Sequence, residues 1–131
     1  MKETGGRSDS ITHHGNRPET VADLCAKEEA QFAALGDFLT AFQNTKEEGE
    51  TRLDRSIVLY GTCMGSRNSH SNMHLPMLIA GDGFKHGQHL AFDTVNNYPV
   101  AHLHLSMLHR LSMEANAFST SKSTMRGLEL A

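Results

Sequence analysis

The apolar residues in the first third of the chain recur at helical spacing. The stripe runs from Val21 to Phe42, which makes about six turns at 3.6 residues per turn. Asn16 followed by Pro18 predicts where this helix begins, because the N–H that Pro lacks would have no helical partner in the first turn. The charged run of residues 46–50 then ends the helix and is predicted to be a solvated loop.

Two short apolar runs follow and predict strands. Residues 56–60 read Ser-Ile-Val-Leu-Tyr and stop at Gly61, and residues 75–80 read Leu-Pro-Met-Leu-Ile-Ala. Continuous runs of this kind are typical of strands that are buried on both faces inside a parallel sheet. The polar, glycine-containing residues 62–71 between them have the length of a functional loop. Residues 88–92 alternate polar and apolar, which predicts a half-exposed edge strand or hairpin arm.

Tyr98 and Pro99 open a second predicted helix. Its apolar stripe consists of Val100, Leu103, His104, Met107, Leu108 and Leu111. This order of elements indicates an α/β protein with a partial parallel or mixed sheet and two main helices, although so few strands leave a parallel sheet poorly covered. We therefore expect residues 1–12 to form a flexible segment and residues 13–131 to be the C-terminal portion of a single, larger α/β domain.

The composition argues against some classes of partner and indicates where the protein is located. The net charge is −3 and no cluster of Lys and Arg is present, which argues against nucleic acid and anionic membranes as partners. No apolar run approaches the roughly 20 residues that cross a bilayer, and residues 1–7 lack the apolar core of a signal peptide. As written, the chain is expected to be cytoplasmic. Cys25 and Cys63 form no CxxC pair, so each is predicted to be a buried free thiol rather than half of a disulfide.

Two histidine blocks supply the candidate chemistry. His13 and His14 precede a helix N-terminus, which favours a phosphate, sulfate or carboxylate group, and neutral imidazole also binds zinc and related metals. An exposed polar pair leading into the helix is the alternative interpretation. In the second block, His70 lies in the loop that leaves a strand, where sites gather in open α/β sheets. From position alone, His70 is equally compatible with a solvated loop histidine, and the spacing to His74 adds little outside a helix.

Four blocks in sequence order resemble the C-terminal part of the bacterial HXXSHH family, known chiefly from planctomycetes and of uncharacterised function. The blocks are residues 11–19 (ITHHGNRPE), 53–61 (LDRSIVLYG), 72–81 (NMHLPMLIAG) and 87–90 (GQHL). The resemblance implies a longer full-length protein, with a twin-arginine export signal and a first half that this chain does not contain. Asp9 stands where the family has its first histidine and Thr12 where it has its serine, whereas His13 and His14 are retained.

The family is in turn loosely similar to the alkaline phosphatase and sulfatase superfamily of metal-dependent hydrolases. Counting back from Ala80 and Gly81, His70 matches a loop histidine of that superfamily, and the strand exit at Gly61 lacks its acidic ligand. The resemblance implies an alkaline-phosphatase-like three-layer fold, a divalent ion such as zinc, manganese or calcium, and a small phosphate or sulfate ester as substrate. The implied metal ligands are Asp9, His13, His14 and His70.

Two functional hypotheses follow from these residues. The first is a fragment of a metal-dependent hydrolase of phosphate or sulfate esters, whose site is completed by a missing N-terminal half or by an oligomer partner, so that the isolated chain is inactive. The second is a non-catalytic binding or structural α/β protein that lacks a complete active site. The altered motif and the missing acid favour the second hypothesis for the chain by itself.

Overall fold

A computed structural model describes residues 11–128. The helices and strands are α1 (Pro18–Asn44), β1 (Lys46–Glu47), β2 (Glu50–Thr51), β3 (Val58–Gly61), β4 (Met77–Ala80) and α2 (Val100–Arg110). β1 pairs with β2 and β3 pairs with β4, and both two-stranded sheets are antiparallel. Residues 11–128 therefore form a mixed α/β fold with two main helices, as the sequence predicts at the level of class.

The described residues divide into two units. The first unit contains residues 11–45 and 61–77, and the second contains residues 46–60 and 78–128. Of the N-terminal segment expected at residues 1–12, only Ile11 and Thr12 are described, and both are half-buried in helical conformation. The remainder of that expectation lies outside the described residues.

Helix α1 confirms the predicted apolar period. It begins at Pro18, directly after the N-cap Arg17, and continues for 27 residues. It ends where the backbone N–H and the hydroxyl of Thr45 both donate to the carbonyl of Ala41, at 3.1 and 2.8 Å. The stripe itself stays largely open to solvent, since Phe32 is 53% and Phe38 43% exposed.

The charged run of residues 46–50 is a hairpin rather than the predicted loop. Glu48 and Gly49 connect β1 to β2 with φ values of +54° and +92°. A two-residue turn with positive φ at both positions matches the twist of the strands on either side, which is why so short a polar segment can pair. Its residues are exposed, as predicted, and Arg55 forms ion pairs with Glu48 at 3.4 Å and Glu50 at 3.9 Å.

β3 and β4 confirm the two predicted apolar strands but correct their arrangement. A Cβ built on Gly61 would lie 3.1 Å from the carbonyl oxygen of Pro76, and the backbone of Gly81 packs against Ser56, so the two strands run in opposite directions. They are half-buried to exposed rather than buried on both faces. The expected parallel sheet needs a covering crossover, usually a helix, and residues 62–76 instead fold back on themselves.

Residues 88–92 also differ from expectation, because they form no strand. Leu90 and Phe92 are half-buried and their neighbours are exposed, so the predicted alternation is present in burial alone. The segment is held by side-chain contacts: the amide of Gln88 donates to the carbonyl of Lys85 at 2.8 Å and to that of Gly127. The alternation in the sequence therefore predicted which side chains are half-buried, but residues 88–92 do not pair as a strand.

The core of the second unit forms around α2. Phe84, Leu103 and Leu128 are its buried centre, and the half-buried side chains packed on them are Ile57, Leu59, Ile79, Leu90, Met107 and Met125. Helix α2 begins directly after Pro99, as predicted. Its most buried residue, Leu105, lies off the predicted stripe, whereas Leu111 on that stripe is 56% exposed.

Thr51 and Asp54 form a reciprocal pair at the turn after β2. The Thr51 hydroxyl donates to Asp54 Oδ2 at 2.7 Å, its backbone N–H donates to the same oxygen at 3.1 Å, and the Asp54 N–H donates back to the hydroxyl at 3.1 Å. The hydroxyl first, and the backbone N–H second, lower the pKa of Asp54, because both favour the ionised carboxylate. The pair has the form of a capping box in a single turn.

We expect Thr51→Val to raise the pKa of Asp54 towards its ordinary value, because the variant loses the hydroxyl donor and keeps the N–H. A carboxyl-carbon NMR titration measures this directly. A depressed folded-state pKa stabilises the fold above the unfolded pKa of about 3.9, and that contribution is lost as the pH falls through the folded-state value. Asp93, whose pKa is lowered by the N–H groups of Asn96 and Val95, is the internal control and should not move. An unchanged Asp54 titration would contradict the assignment.

Candidate metal centre

His13 and His14 stand immediately before a tight turn that leads into α1. Gly15 and Asn16 occupy the centre of this turn with φ values of +56° and +60°, and the N–H of Arg17 donates to the carbonyl of His14 at 3.0 Å. Positive φ at both central positions defines a type I′ turn, and Gly and Asn are the residues that tolerate it best. His13 and His14, which resemble part of the family motif, thus lie directly at a defined turn.

His70 lies in a small hairpin within residues 62–76. Ser66 and Ser71 exchange two backbone hydrogen bonds of 3.2 and 2.9 Å, and between them the N–H of His70 donates to the carbonyl of Arg67 at 3.2 Å. His70 closes the loop with a φ of +54°, in the left-handed region where Gly is the least strained residue. The imidazole is therefore held at a position where most side chains are disfavoured.

The structure brings the two histidine blocks together. The ring centroids of His13 and His70 are 5.0 Å apart, with an angle of 45° between the ring planes. A backbone contact beside them joins the same two segments: the N–H of Gly15 donates to Asn68 Oδ1 at 2.9 Å, across 53 positions of sequence. His70 and not His74 is thus the member of the second block that meets the first block.

The separation of the two rings suits joint coordination of a metal ion. Two imidazoles that bind one tetrahedral zinc ion at about 2.1 Å place their ring centroids roughly 5 Å apart. His13 is half-buried and His70 is exposed, so an ion could reach the pair from solvent. The pair alone supplies two ligands, fewer than the three or four of an ordinary protein zinc site.

His14 already has a structural role. The backbone N–H of Asn16 donates to Nδ1 of His14 at 3.0 Å. A neutral imidazole that accepts at Nδ1 carries its proton on Nε2, so neither nitrogen offers a lone pair to a metal in this arrangement. Coordination by His14, which the family resemblance implies, would require this hydrogen bond to break.

The other members of the predicted ligand set are not assembled by the described residues. Within residues 11–128, no three His, Cys, Asp or Glu side chains are grouped closely enough to hold a metal ion. Asp9, the fourth predicted ligand, lies outside the described residues. At the strand exit, where the superfamily has an acid, the hydroxyl of Thr62 accepts from the N–H of Met64 at 3.1 Å and donates to its carbonyl at 3.0 Å.

Two features of the site were not predicted from the sequence. The first is Asn68, whose side chain bonds the hairpin to the turn before α1. Nothing in the sequence indicates this role, since an amide in a polar loop usually contacts only water. Cys25 and Cys63 are both free, as predicted, but both are exposed rather than buried, because their segments contribute nothing to the core. Neither thiol lies in a group that could hold a metal within the described part of the chain.

Comparison with protein-family models, with curated protein sequences and with solved structures finds no match to this chain. The resemblance to the HXXSHH family therefore stays a prediction, based on the sequence blocks themselves. Among residues 11–128, neither helix is both long enough and apolar enough to cross a membrane.

Proposed function

We propose that this chain provides part of a divalent-metal site, with His13 and His70 as ligands, in an HXXSHH-type protein that hydrolyses small phosphate or sulfate esters. The observation that carries this proposal is the 5.0 Å separation of the two imidazole rings, which come from distant parts of the sequence. Imidazole ligands favour zinc or a related transition metal, whereas calcium takes oxygen ligands. Zinc is accordingly the ion to test first.

A zinc ion held by these ligands would assist ester hydrolysis in two ways. A bound zinc ion would polarise an ester oxygen and stabilise the negative charge that develops on it during hydrolysis. The role of His13 and His70 is to hold the ion, and the role of His14 and Asn68 is to fix the two segments that carry the ligands. Asp9 takes the third ligand position in this proposal. Further ligands would come from another segment or a second chain, within the larger three-layer fold that the family resemblance implies.

A non-catalytic binding protein is the second candidate, and the strand exit favours it. The Thr62 hydroxyl is satisfied by the backbone of Met64 in a local turn, at the place where the superfamily has an acidic ligand. Because the hydrolase candidate expects the chain alone to be inactive, the assay uses the longer protein that the family resemblance implies. With zinc bound to that protein, hydrolysis of a nitrophenyl phosphate or nitrophenyl sulfate ester distinguishes the two candidates. Turnover that disappears in a His13→Ala variant supports the hydrolase, and zinc binding without turnover supports the non-catalytic protein.

Zinc binding itself is tested with a pair of matched glycine variants. His70 and His74 both have left-handed backbones, with φ values of +54° and +55°, and both are exposed in the same loop. Glycine relieves the strain at either position, so neither variant should lose stability. We expect the unaltered chain to bind one zinc ion, and His70→Gly to weaken binding by at least about 100-fold, more than the loss typical of residues that only orient a ligand.

The His74→Gly variant should bind zinc as the unaltered chain does, by calorimetric titration and by elemental analysis after dialysis. Equal loss in both variants would show that the loop, rather than the imidazole of His70, governs binding. Absence of stoichiometric zinc from the unaltered chain would remove the basis of the proposed site. Asp9→Asn adds a separate test of the third ligand position.

A further inference from the structure

The second unit contains an open cavity at the C-terminal end of α2. Its volume is about 290 Å³, at the low end of the range for small-molecule sites. Phe84 and Leu128 line it and also belong to the core, where they are only 4% and 8% exposed. Polar side chains complete the lining, among them Arg110 and Arg126. The cavity thus combines an apolar surface with two guanidinium groups.

Arg110 is held in a fixed orientation by Asp82. Its Nε donates to the Asp82 carbonyl at 2.7 Å, and its Nη2 donates to Asp82 Oδ1 at 3.0 Å. The two side chains are 30% and 22% exposed, so the ion pair is partly protected from water. The carboxylate offsets the charge of Arg110, while Nη1 donates to no group of the described residues.

Arg126 supplies a charge that nothing in the described chain offsets. It is exposed, and within residues 11–128 its guanidinium makes neither a hydrogen bond nor an ion pair. The hydroxyl groups of Ser112 and Thr124 line the same cavity and can donate as well. The described lining therefore presents several donors and one uncompensated positive charge beside an apolar wall.

We propose that this cavity binds a small monocarboxylate that has an apolar body. The one uncompensated charge of the described lining matches one carboxylate, and a planar carboxylate suits the fork of guanidinium donors. A phosphate dianion would bring an excess negative charge, and a neutral ligand would leave Arg126 unused. Phe84, Met125 and Leu128 provide the contact for an aromatic ring or a short aliphatic chain. This site is separate from His13 and His70, so its test is independent of the metal proposal.

Benzoate is the probe, titrated into the complete chain and followed by heteronuclear NMR. We expect a dissociation constant on the order of 1 mM, which is typical of a fragment of this size, with shifts centred on the Met125 and Leu128 methyl groups. Benzamide, which has the same shape without the charge, and inorganic phosphate should each bind at least about tenfold more weakly. Equal binding of benzamide, or tighter binding of phosphate, would overturn the proposed ligand class.

Arg126→Ala and Lys122→Ala make a matched pair, since each removes one exposed positive charge and only Arg126 lines the cavity. We expect Arg126→Ala to weaken benzoate binding about tenfold and Lys122→Ala to leave it unchanged. Both variants should keep the circular dichroism spectrum and melting temperature of the unaltered chain, because both residues are exposed. Equal weakening in the two variants would mean that net charge alone attracts benzoate, and the assigned cavity would be wrong.

Discussion

Replacing Gly81 with alanine is expected to lower the free energy of unfolding by at least about 3 kcal/mol. Gly81 directly follows β4 with a φ of +87°, which L side chains rarely adopt. A Cβ there would overlap the carbonyl oxygen of Ser56 and lie 2.6 Å from that of Leu53. Both obstacles are backbone atoms, so no change of rotamer can relieve the overlap. The hydrogen bond from the Asp82 N–H to the Leu53 carbonyl, at 3.2 Å, would be strained with it.

Gly87→Ala separates the two causes of this loss. Gly87 belongs to the same unit and has a φ of +75°, but no atom lies within 4 Å of a Cβ built there. This variant should cost only the backbone strain, about 1–2 kcal/mol. Urea denaturation of both variants gives the free energies, and the difference between them measures the overlap at Gly81. Similar midpoints for the two variants would show that Ser56 and Leu53 do not crowd Gly81.

The elements that depend on local pattern were predictable, and those that depend on pairing were not. Helix α1 followed from a long apolar period and a Pro in its first turn, and both features are written in the residues themselves. The direction of β4 relative to β3 depends instead on the loop between them. That loop turns through His70 and His74, and nothing in the sequence indicates that these two histidines adopt positive φ.

In the candidate site, too, the local turn could be predicted from the sequence and the contacts between distant segments could not. A tight turn before α1 was open to prediction, because Gly15 followed by Asn16 is a pair typical of two-residue turns with positive φ. The contact between His13 and His70 could be expected only through the family resemblance, since no spacing in the sequence brings the two segments together. Asn68 was missed because its contact with Gly15 exists only after the hairpin has formed.

The other large effect is expected for Leu105, a buried residue of the second unit. Leu105→Ala should lower the free energy of unfolding by about 2–5 kcal/mol. Leu105 is 1% exposed, the lowest value of any large apolar side chain in the described residues. Removing its terminal carbons gives up their transfer free energy and leaves a cavity in the packed interior. Thermal unfolding followed by circular dichroism, together with urea titration, would measure the loss.

Leu111→Ala is the matched control, because it makes the same change at the end of the same helix. Leu111 is 56% exposed, so the variant should lie within about 0.5 kcal/mol of the unaltered chain. The sequence-based stripe on α2 makes the opposite prediction, since it includes Leu111 and omits Leu105. Comparison of the two variants therefore decides which of these two residues is buried: a larger loss for Leu111→Ala would show that Leu111 is packed, as the stripe predicts, and that Leu105 is not.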